Sequence, residues 1–198
     1  VMGSQQILKG FNMVKTLNEI YELYLGENSD INELLPILKK YAEECSHITE
    51  FGTRDGISTI AFLMARPYKL ITYDINRSQQ INELEKLSKV NFIDFNFIEK
   101  NVLETEISET DLLFIDTIHT YEQLFSELNK HASKVKKFII IHDTTTFGLK
   151  DANYTNSDKQ GLITAITDFI KIHFEWKIKE IFVNCNGLTI LERIKNRE

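Results

Sequence analysis

The sequence predicts an α/β domain on a doubly wound, seven-stranded sheet, with five parallel strands, then an antiparallel C-terminal hairpin, and helices on both faces. Three observations predict it. From position 47 onward, apolar β-rich runs alternate with helical segments, the order that gives a mostly parallel sheet covered on both sides. Runs such as Phe138-Ile139-Ile140-Ile141 are continuously apolar, as strands buried on both faces require. The last two runs instead flank Asn186-Gly187, a dipeptide suited to the positive φ angles of a tight hairpin turn.

Helical signals open the chain, with Phe11, Val14, Leu17, Tyr21, Tyr24 and Leu25 sharing one face. Asp30, with Glu33 three residues later, reads as a capping pair for a second helix carrying Leu34, Leu35, Leu38 and Tyr41. These helices precede the first strand and could cover the site or form a dimer surface, so a homo-oligomer is one expectation. Strands are expected at 47–51, 69–74, 92–98, 111–116 and 136–142, and helices near 57–66, 78–88 and 121–135, with a short connection at 102–109. Thr120 with Gln123, and Ser157 with Gln160, predict helix starts near Tyr121 and Asp158. The run from Trp176 to Val183 alternates as a strand, and Leu188-Thr189-Ile190-Leu191 closes the hairpin.

Composition narrows the function classes. At 198 residues the chain fits one domain, with N-terminal helices over 1–46 and the sheet core over 47–193. A net charge of -6 supplies no basic footprint for nucleic acid or an anionic membrane. No apolar run is long enough to span a bilayer, and Val1–Gln6 lacks the basic and apolar regions of a signal peptide. Cys45 and Cys185, far apart and without metal-ligand spacing, read as two reduced thiols of a cytoplasmic protein.

Chemistry concentrates where strands are expected to end. Ile48-Thr49-Glu50-Phe51-Gly52-Thr53-Arg54-Asp55-Gly56-Ile57-Ser58-Thr59 describes a strand, a two-glycine loop and a helix start. Gly52 and Gly56 allow close approach of a ligand to the main chain, and the helix N-terminus favours a polar or anionic group. Asp74, at the tip of Lys69-Leu70-Ile71-Thr72-Tyr73, suits hydrogen bonding to ribose hydroxyls, or simply caps the turn that follows. The pattern suggests a nucleoside cofactor, and the Gly-x-x-x-Gly spacing departs from the dinucleotide fingerprint Gly-x-Gly-x-x-Gly. The fourth and fifth strands end in Phe114-Ile115-Asp116-Thr117-Ile118-His119-Thr120-Tyr121 and Ile141-His142-Asp143-Thr144. Asp116, His119, His142 and Asp143 therefore share one sheet edge and offer metal ligands or a general base. Read alone, His119 could equally be a helix N-terminal residue bonded to backbone, and Asp143 could anchor its own loop.

The short glycine loop after Glu50 resembles motif I of the class I S-adenosylmethionine-dependent methyltransferases. The string Phe-Ile-Asp-x-x-His-x-Tyr, the strand ending His-Asp-Thr, the run Gly161–Phe169 and the ending Asn186–Arg193 resemble the cephalosporin-hydroxylase-like and macrolide-sugar O-methyltransferases. The similarity spans roughly 47–193. It implies a Rossmann-like fold and transfer of a methyl group from S-adenosylmethionine to a hydroxyl of a small-molecule or glycan acceptor. It places Glu50, Gly52, Thr53, Gly56 and Ser58 at the methionine end, Asp74 on the ribose, and Asn101-Val102 on the adenine. It makes Asp116, which also borders the cofactor, and Asp143 ligands of a divalent cation such as Mg²⁺, with His142 beside them, and His119 the base. Two departures are visible. Several relatives carry Glu-Asp where this chain has His142-Asp143, and many carry a second acid where it has Ile118. A hard cation prefers oxygen, so His142 weakens the Mg²⁺ case and leaves room for a softer metal or none. Two alternatives follow: metal-independent transfer by His119 alone, and a cofactor-binding subunit without turnover. His47, His131 and His173 are expected at the surface or an edge. The unpatterned stretch 144–157, with Phe147, Lys150 and Tyr154, is expected to contact the acceptor.

Overall fold

The computed structural model describes residues 16–150, 152 and 160–194. Six helices are described: α1 (Leu17–Gly26), α2 (Leu35–Ala42), α3 (Ile57–Met64), α4 (Gln80–Val90), α5 (Tyr121–His131) and α6 (Leu162–Ile172). Seven strands, β1 (His47–Phe51), β2 (Lys69–Asp74), β3 (Asp94–Glu99), β4 (Thr110–Ile115), β5 (Val135–His142), β6 (Trp176–Phe182) and β7 (Leu188–Arg193), form one sheet. Its order is β3-β2-β1-β4-β5-β7-β6, with β1 to β5 parallel and β7 antiparallel to both β5 and β6. The expected fold class is therefore observed.

The period-two side-chain alternation of the strands splits the core into two layers. Ile48, Leu70, Leu112, Phe114 and Ile140 pack beneath α1 to α4. Phe51, Leu113, Ile115, Ile139 and Ile141 pack beneath α5 and α6. Both layers are apolar because the central strands have no solvated face.

Several boundaries differ from the sequence expectation. Phe11, Val14, Tyr154, Ser157 and Asp158 lie outside the described residues. The described part of α1 is capped by Thr16, whose hydroxyl accepts from the Glu19 amide while the Glu19 carboxylate accepts from the Thr16 amide. The Asp30/Glu33 pair does not cap. Ser29 and Asn32 do the local bonding, the Ser29 hydroxyl accepting from the Asn32 amide at 3.0 Å, and α2 itself begins at Leu35 with Pro36 in its first turn. Proline is preorganised there and lacks the amide that would otherwise need a cap. Gln160 bridges to Lys150, and extended Gly161 precedes α6, which begins at Leu162. The last hairpin is antiparallel as expected, yet its turn is centred one residue early. The Gly187 amide donates to the Asn184 carbonyl at 2.9 Å, and Cys185 and Asn186 hold φ of 45° and 65°. Among the described residues no helix is long and apolar enough to cross a membrane.

Register places the site. Phe51 aligns with Tyr73 on one side and Ile115 on the other, and Ile115 aligns with Ile141. The next residue on each strand path is Gly52, Asp74, Asp116 or His142, so these four form one row along the carboxyl edge. The order reverses between β1 and β4, and open α/β sheets bind ligands in the crevice at that reversal. Gly52, with φ +86°, lies so close to β4 that an added Cβ would meet the Asp116 carbonyl oxygen at 2.0 Å. Gly52→Ala should lower unfolding free energy by at least about 2 kcal/mol, since both backbone strain and a main-chain clash are introduced. Gly26→Ala, where nothing lies within 4 Å of the new Cβ, should stay within about 0.5 kcal/mol. Chemical denaturation of both variants checks the contrast.

Candidate active site

The crevice has two lobes that meet at Gly52, Arg54 and Asp116. The first, about 280 Å³, runs between the tips of β2, β3 and β4 and includes Asp74, Asn101, Val102, Thr117 and Gln123. The second, about 290 Å³, lies between the glycine loop and the segment after α1, against Thr53, Ser58, Ser29 and Asp30.

In the first lobe, Asp74 accepts from the Arg54 amide at 2.9 Å and the Asn76 amide at 3.1 Å. It thus braces the glycine loop and its own turn while still bordering the crevice. Asn101 accepts from the Leu103 amide at 3.0 Å and starts a 3-10 turn over Val102–Glu104, which sets Val102 in the wall. Ile75 and Ile118 remain 63 % and 59 % exposed at this lobe. Exposed branched apolar side chains flanking a slot suit a flat heterocycle. Sequence reasoning assigned neither to this wall, although Ile75 directly follows Asp74 and was findable. It also missed Thr117 and Gln123, whose polar groups converge on the fully buried Glu127. The Thr117 hydroxyl donates to Glu127 at 2.8 Å and the Gln123 amide at 2.7 Å. Burial pushes the Glu127 carboxyl up to about 7 despite these donors.

His131 corrects an expectation. It is fully buried rather than at an edge, and its Nε2 lies 2.9 Å from the Val102 carbonyl, to which it donates. Its ring also packs edge-on to Phe51, with centroids 4.9 Å apart. The α5 helix thereby fixes the wall of the first lobe from below.

Glu50 sits under the glycine loop, fully buried, accepting from the Ser58 hydroxyl at 2.5 Å and the Thr59 hydroxyl at 2.6 Å. These bonds tie the tip of β1 to the first turn of α3. Ser58 and Thr53 reach the second lobe, whereas Gly56, with φ +78°, packs its Cα against Leu84. Sequence gave no sign of Asp30 in this lobe, where its carboxylate stands 3.9 Å from the Arg54 guanidinium.

Beside both lobes, the four residues at the tips of β4 and β5 converge. His119 Nε2 lies 2.8 Å from Asp143 Oδ2 and 3.2 Å from Asp116 Oδ1. Its ring stacks on Phe147 at 4.8 Å and 7°. His142 Nδ1 lies 3.4 Å from Asp116 Oδ1 and 3.7 Å from Asp143 Oδ2, without a hydrogen bond. Asp143 takes a left-handed φ of 61° and buries Oδ1 unpartnered. Ligand atoms of Asp116, His142 and Asp143 fall within 4.8 Å of one another. Two carboxylates, an imidazole nitrogen and orphaned buried atoms fit a divalent cation. Burial would lower the His119 and His142 pKa values, but the proximity of Asp116 and Asp143 raises both to about 9. Burial would raise Asp116, yet the two imidazoles hold it well below the usual carboxylate range.

Comparison with known proteins decides the family. The rhamnosyl O-methyltransferase/CmcI family matches residues 28–193. The chain belongs to this family. The match covers the whole sheet and both lobes of the crevice, and it bears out the class I methyltransferase expectation. No curated protein matches the sequence. Solved structures share the family's sheet at low identity. A protein of Corynebacterium glutamicum is 13% identical with a TM-score of 0.64, over 83% of this chain and 82% of that one. The Bacillus cereus O-methyltransferase, solved with SAH, is 14% identical with a TM-score of 0.61, over 96% of each chain. The Streptomyces achromogenes O-methyltransferase TomG, solved with SAM, is 15% identical with a TM-score of 0.57, over 83% of this chain and 81% of that one.

Glu50 makes stability pH-dependent. Burial, its largest influence, raises its pKa to about 8, above an unfolded value near 4.5, although Ser58 and Thr59 oppose the shift. A raised carboxyl binds its proton more tightly in the folded state. Its stabilisation is complete below the unfolded pKa and is lost as pH rises through about 8. Relative to Glu50→Gln, wild type should therefore lose stability across that window. A wild-type minus variant difference that stays flat in urea titrations from pH 4.5 to 8 would remove the buried-acid account.

Proposed function

We propose that this chain is an S-adenosylmethionine-dependent O-methyltransferase acting on a hydroxyl of a sugar or similar small polar acceptor, with a divalent cation and His119 as general base. The supporting observation is the convergence of Asp116, His119, His142 and Asp143 beside a two-lobed crevice at the sheet's reversal point. The family name supports a glycosyl hydroxyl, and the SAM- and SAH-bound neighbours support the cofactor.

On this reading Asp74 holds the ribose, Asn101 and Val102 with Ile75 and Ile118 enclose the adenine, and the second lobe takes the methionine end. Asp116, His142 and Asp143 hold the cation. When bound, the cation lowers the pKa of an acceptor hydroxyl, and S-adenosylmethionine supplies an electrophilic methyl. His119 takes the hydroxyl proton on Nε2 as that oxygen forms its bond to the methyl carbon and the carbon–sulfur bond breaks. Stacking on Phe147 fixes the imidazole plane for that transfer. A cation occupying Asp116 and Asp143 removes the acceptors that keep His119 protonated, which argues against a metal-free base at neutral pH. The protein is read as cytoplasmic.

Three measurements test the reading. Calorimetry should show micromolar-range binding of S-adenosylhomocysteine and none of NAD, with Asp74→Ala weakening the former by about 1–3 kcal/mol. Unchanged affinity in that variant would take Asp74 out of the site. EDTA should abolish methyl transfer to glycosyl hydroxyls while sparing cofactor binding, and full turnover in EDTA would end the cation assignment. In the EDTA-treated protein, NMR should find His119 titrating near 9, with stability from its ion pairs complete below about 6.5 and lost as pH rises through about 9.

A further inference from the structure

We propose that Asp116, His142 and Asp143 form a mixed nitrogen–oxygen centre that selects a first-row transition-metal ion over Mg²⁺. The proposal rests on the reading above that these residues hold a cation, and it commits to which cation.

The argument begins on the far side of the His142 ring. Nε2 lies 3.1 Å from the Asp30 carbonyl oxygen and 3.0 Å from the Cys185 carbonyl oxygen. Both are acceptors only, so Nε2 must carry a hydrogen to satisfy them. That fixes the tautomer, and in neutral imidazole it leaves the Nδ1 lone pair pointing at Asp116 and Asp143. Metal-binding histidines use the same device, donating the second ring nitrogen to a backbone carbonyl to orient the ligand nitrogen. The two carbonyls come from opposite ends of the chain, one from the segment after α1 and one from the β6–β7 turn. The ring is thus clamped from two independent elements, and its side chain is only 1% exposed.

Nδ1 has no hydrogen-bond partner despite this burial, and neither does Asp143 Oδ1. Spacing agrees with ligation. Donors about 2.0–2.2 Å from one ion stand roughly 3–3.5 Å apart. Nδ1 stands 3.4 Å from Asp116 Oδ1, within that range, and 3.7 Å from Asp143 Oδ2, slightly beyond it. Two carboxylates and a neutral imidazole balance a divalent charge. Mg²⁺ demands near-octahedral oxygen ligation and keeps several waters. Imidazole instead suits Zn²⁺, Co²⁺ and similar ions. An acid at position 142 would supply a third oxygen, and the locked histidine withholds it.

The test uses full-length protein stripped with EDTA. Equilibrium dialysis against Mn²⁺ and Mg²⁺ measures preference, and pulsed electron paramagnetic resonance of the Mn²⁺ form reads nitrogen hyperfine coupling. Mn²⁺ should bind at least ten-fold more tightly than Mg²⁺, with coupling from one imidazole nitrogen. His142→Glu should retain Mn²⁺, lose the coupling and shrink the preference about ten-fold. Should that variant fail to fold, His142→Ala, which should also lose the coupling, takes its place, and the wild-type spectrum and preference decide on their own. Equal Mn²⁺ and Mg²⁺ affinity, absent wild-type coupling, or coupling that survives His142 replacement would overturn the selectivity while leaving a metal site standing. Failure to bind either ion would overturn the cation reading itself.

Discussion

Two carboxylates that the sheet brings together at the tips of neighbouring parallel strands impose the governing constraint. Asp116 and Asp143 offer ligand atoms within 4.8 Å of each other, and Asp143 is nearly fully buried. Like charges about 4 Å apart at a partly wet protein site repel by about 4 kcal/mol, so the fold must place positive charge between them. Much of the carboxyl edge serves that end. Gly52 has no Cβ, which lets β1 approach β4 and set Asp116 at the crevice floor. Asp143 holds a left-handed backbone, a conformation aspartate tolerates better than most residues, with its Oδ2 2.8 Å from His119 Nε2. Phe147, in the loop that follows, supports the His119 ring.

The sequence made the sheet legible because its signals are local and periodic. Continuous apolar runs belong to strands buried on both faces, and once register is regular, residues that end those runs must share an edge. Asp74, Asp116, His119, His142 and Asp143 were readable for that reason. Asp74 braces its turn, one of its two readings, and also borders the crevice. Tertiary choices were not readable. Asp30 and Glu33 have capping spacing, but Ser29 and Asn32 stand close enough to compete and prevail. His131 looked partnerless because its partner is a backbone carbonyl twenty-nine positions away. The clamp on His142 was hidden for the same reason, since carbonyl oxygens of Asp30 and Cys185 leave no residue-type signature. Glu50 was read as a ligand contact, and its bonds to Ser58 and Thr59, which fasten strand to helix, left no sign in the sequence.

The segment after α1 links both halves of the crevice. Its Asp30 carbonyl orients His142, and its Asp30 carboxylate faces Arg54, whose own amide donates to Asp74. One short stretch therefore touches His142, the second lobe and, through Arg54, Asp74.

The same carboxylates also decide what His119 can do. With no cation between them, Asp116 and Asp143 satisfy their charge with imidazole protons, and His119 is held protonated near pH 7. An imidazolium cannot accept a proton from an acceptor hydroxyl. A cation that takes over the carboxylates competes with those protons, so its binding must release them and must weaken as pH falls. His119 then loses the anions that raised its pKa and returns toward the range where a histidine serves as base. On the proposed function, metal site and base form a single electrostatic unit, and a change that alters either carboxylate alters both.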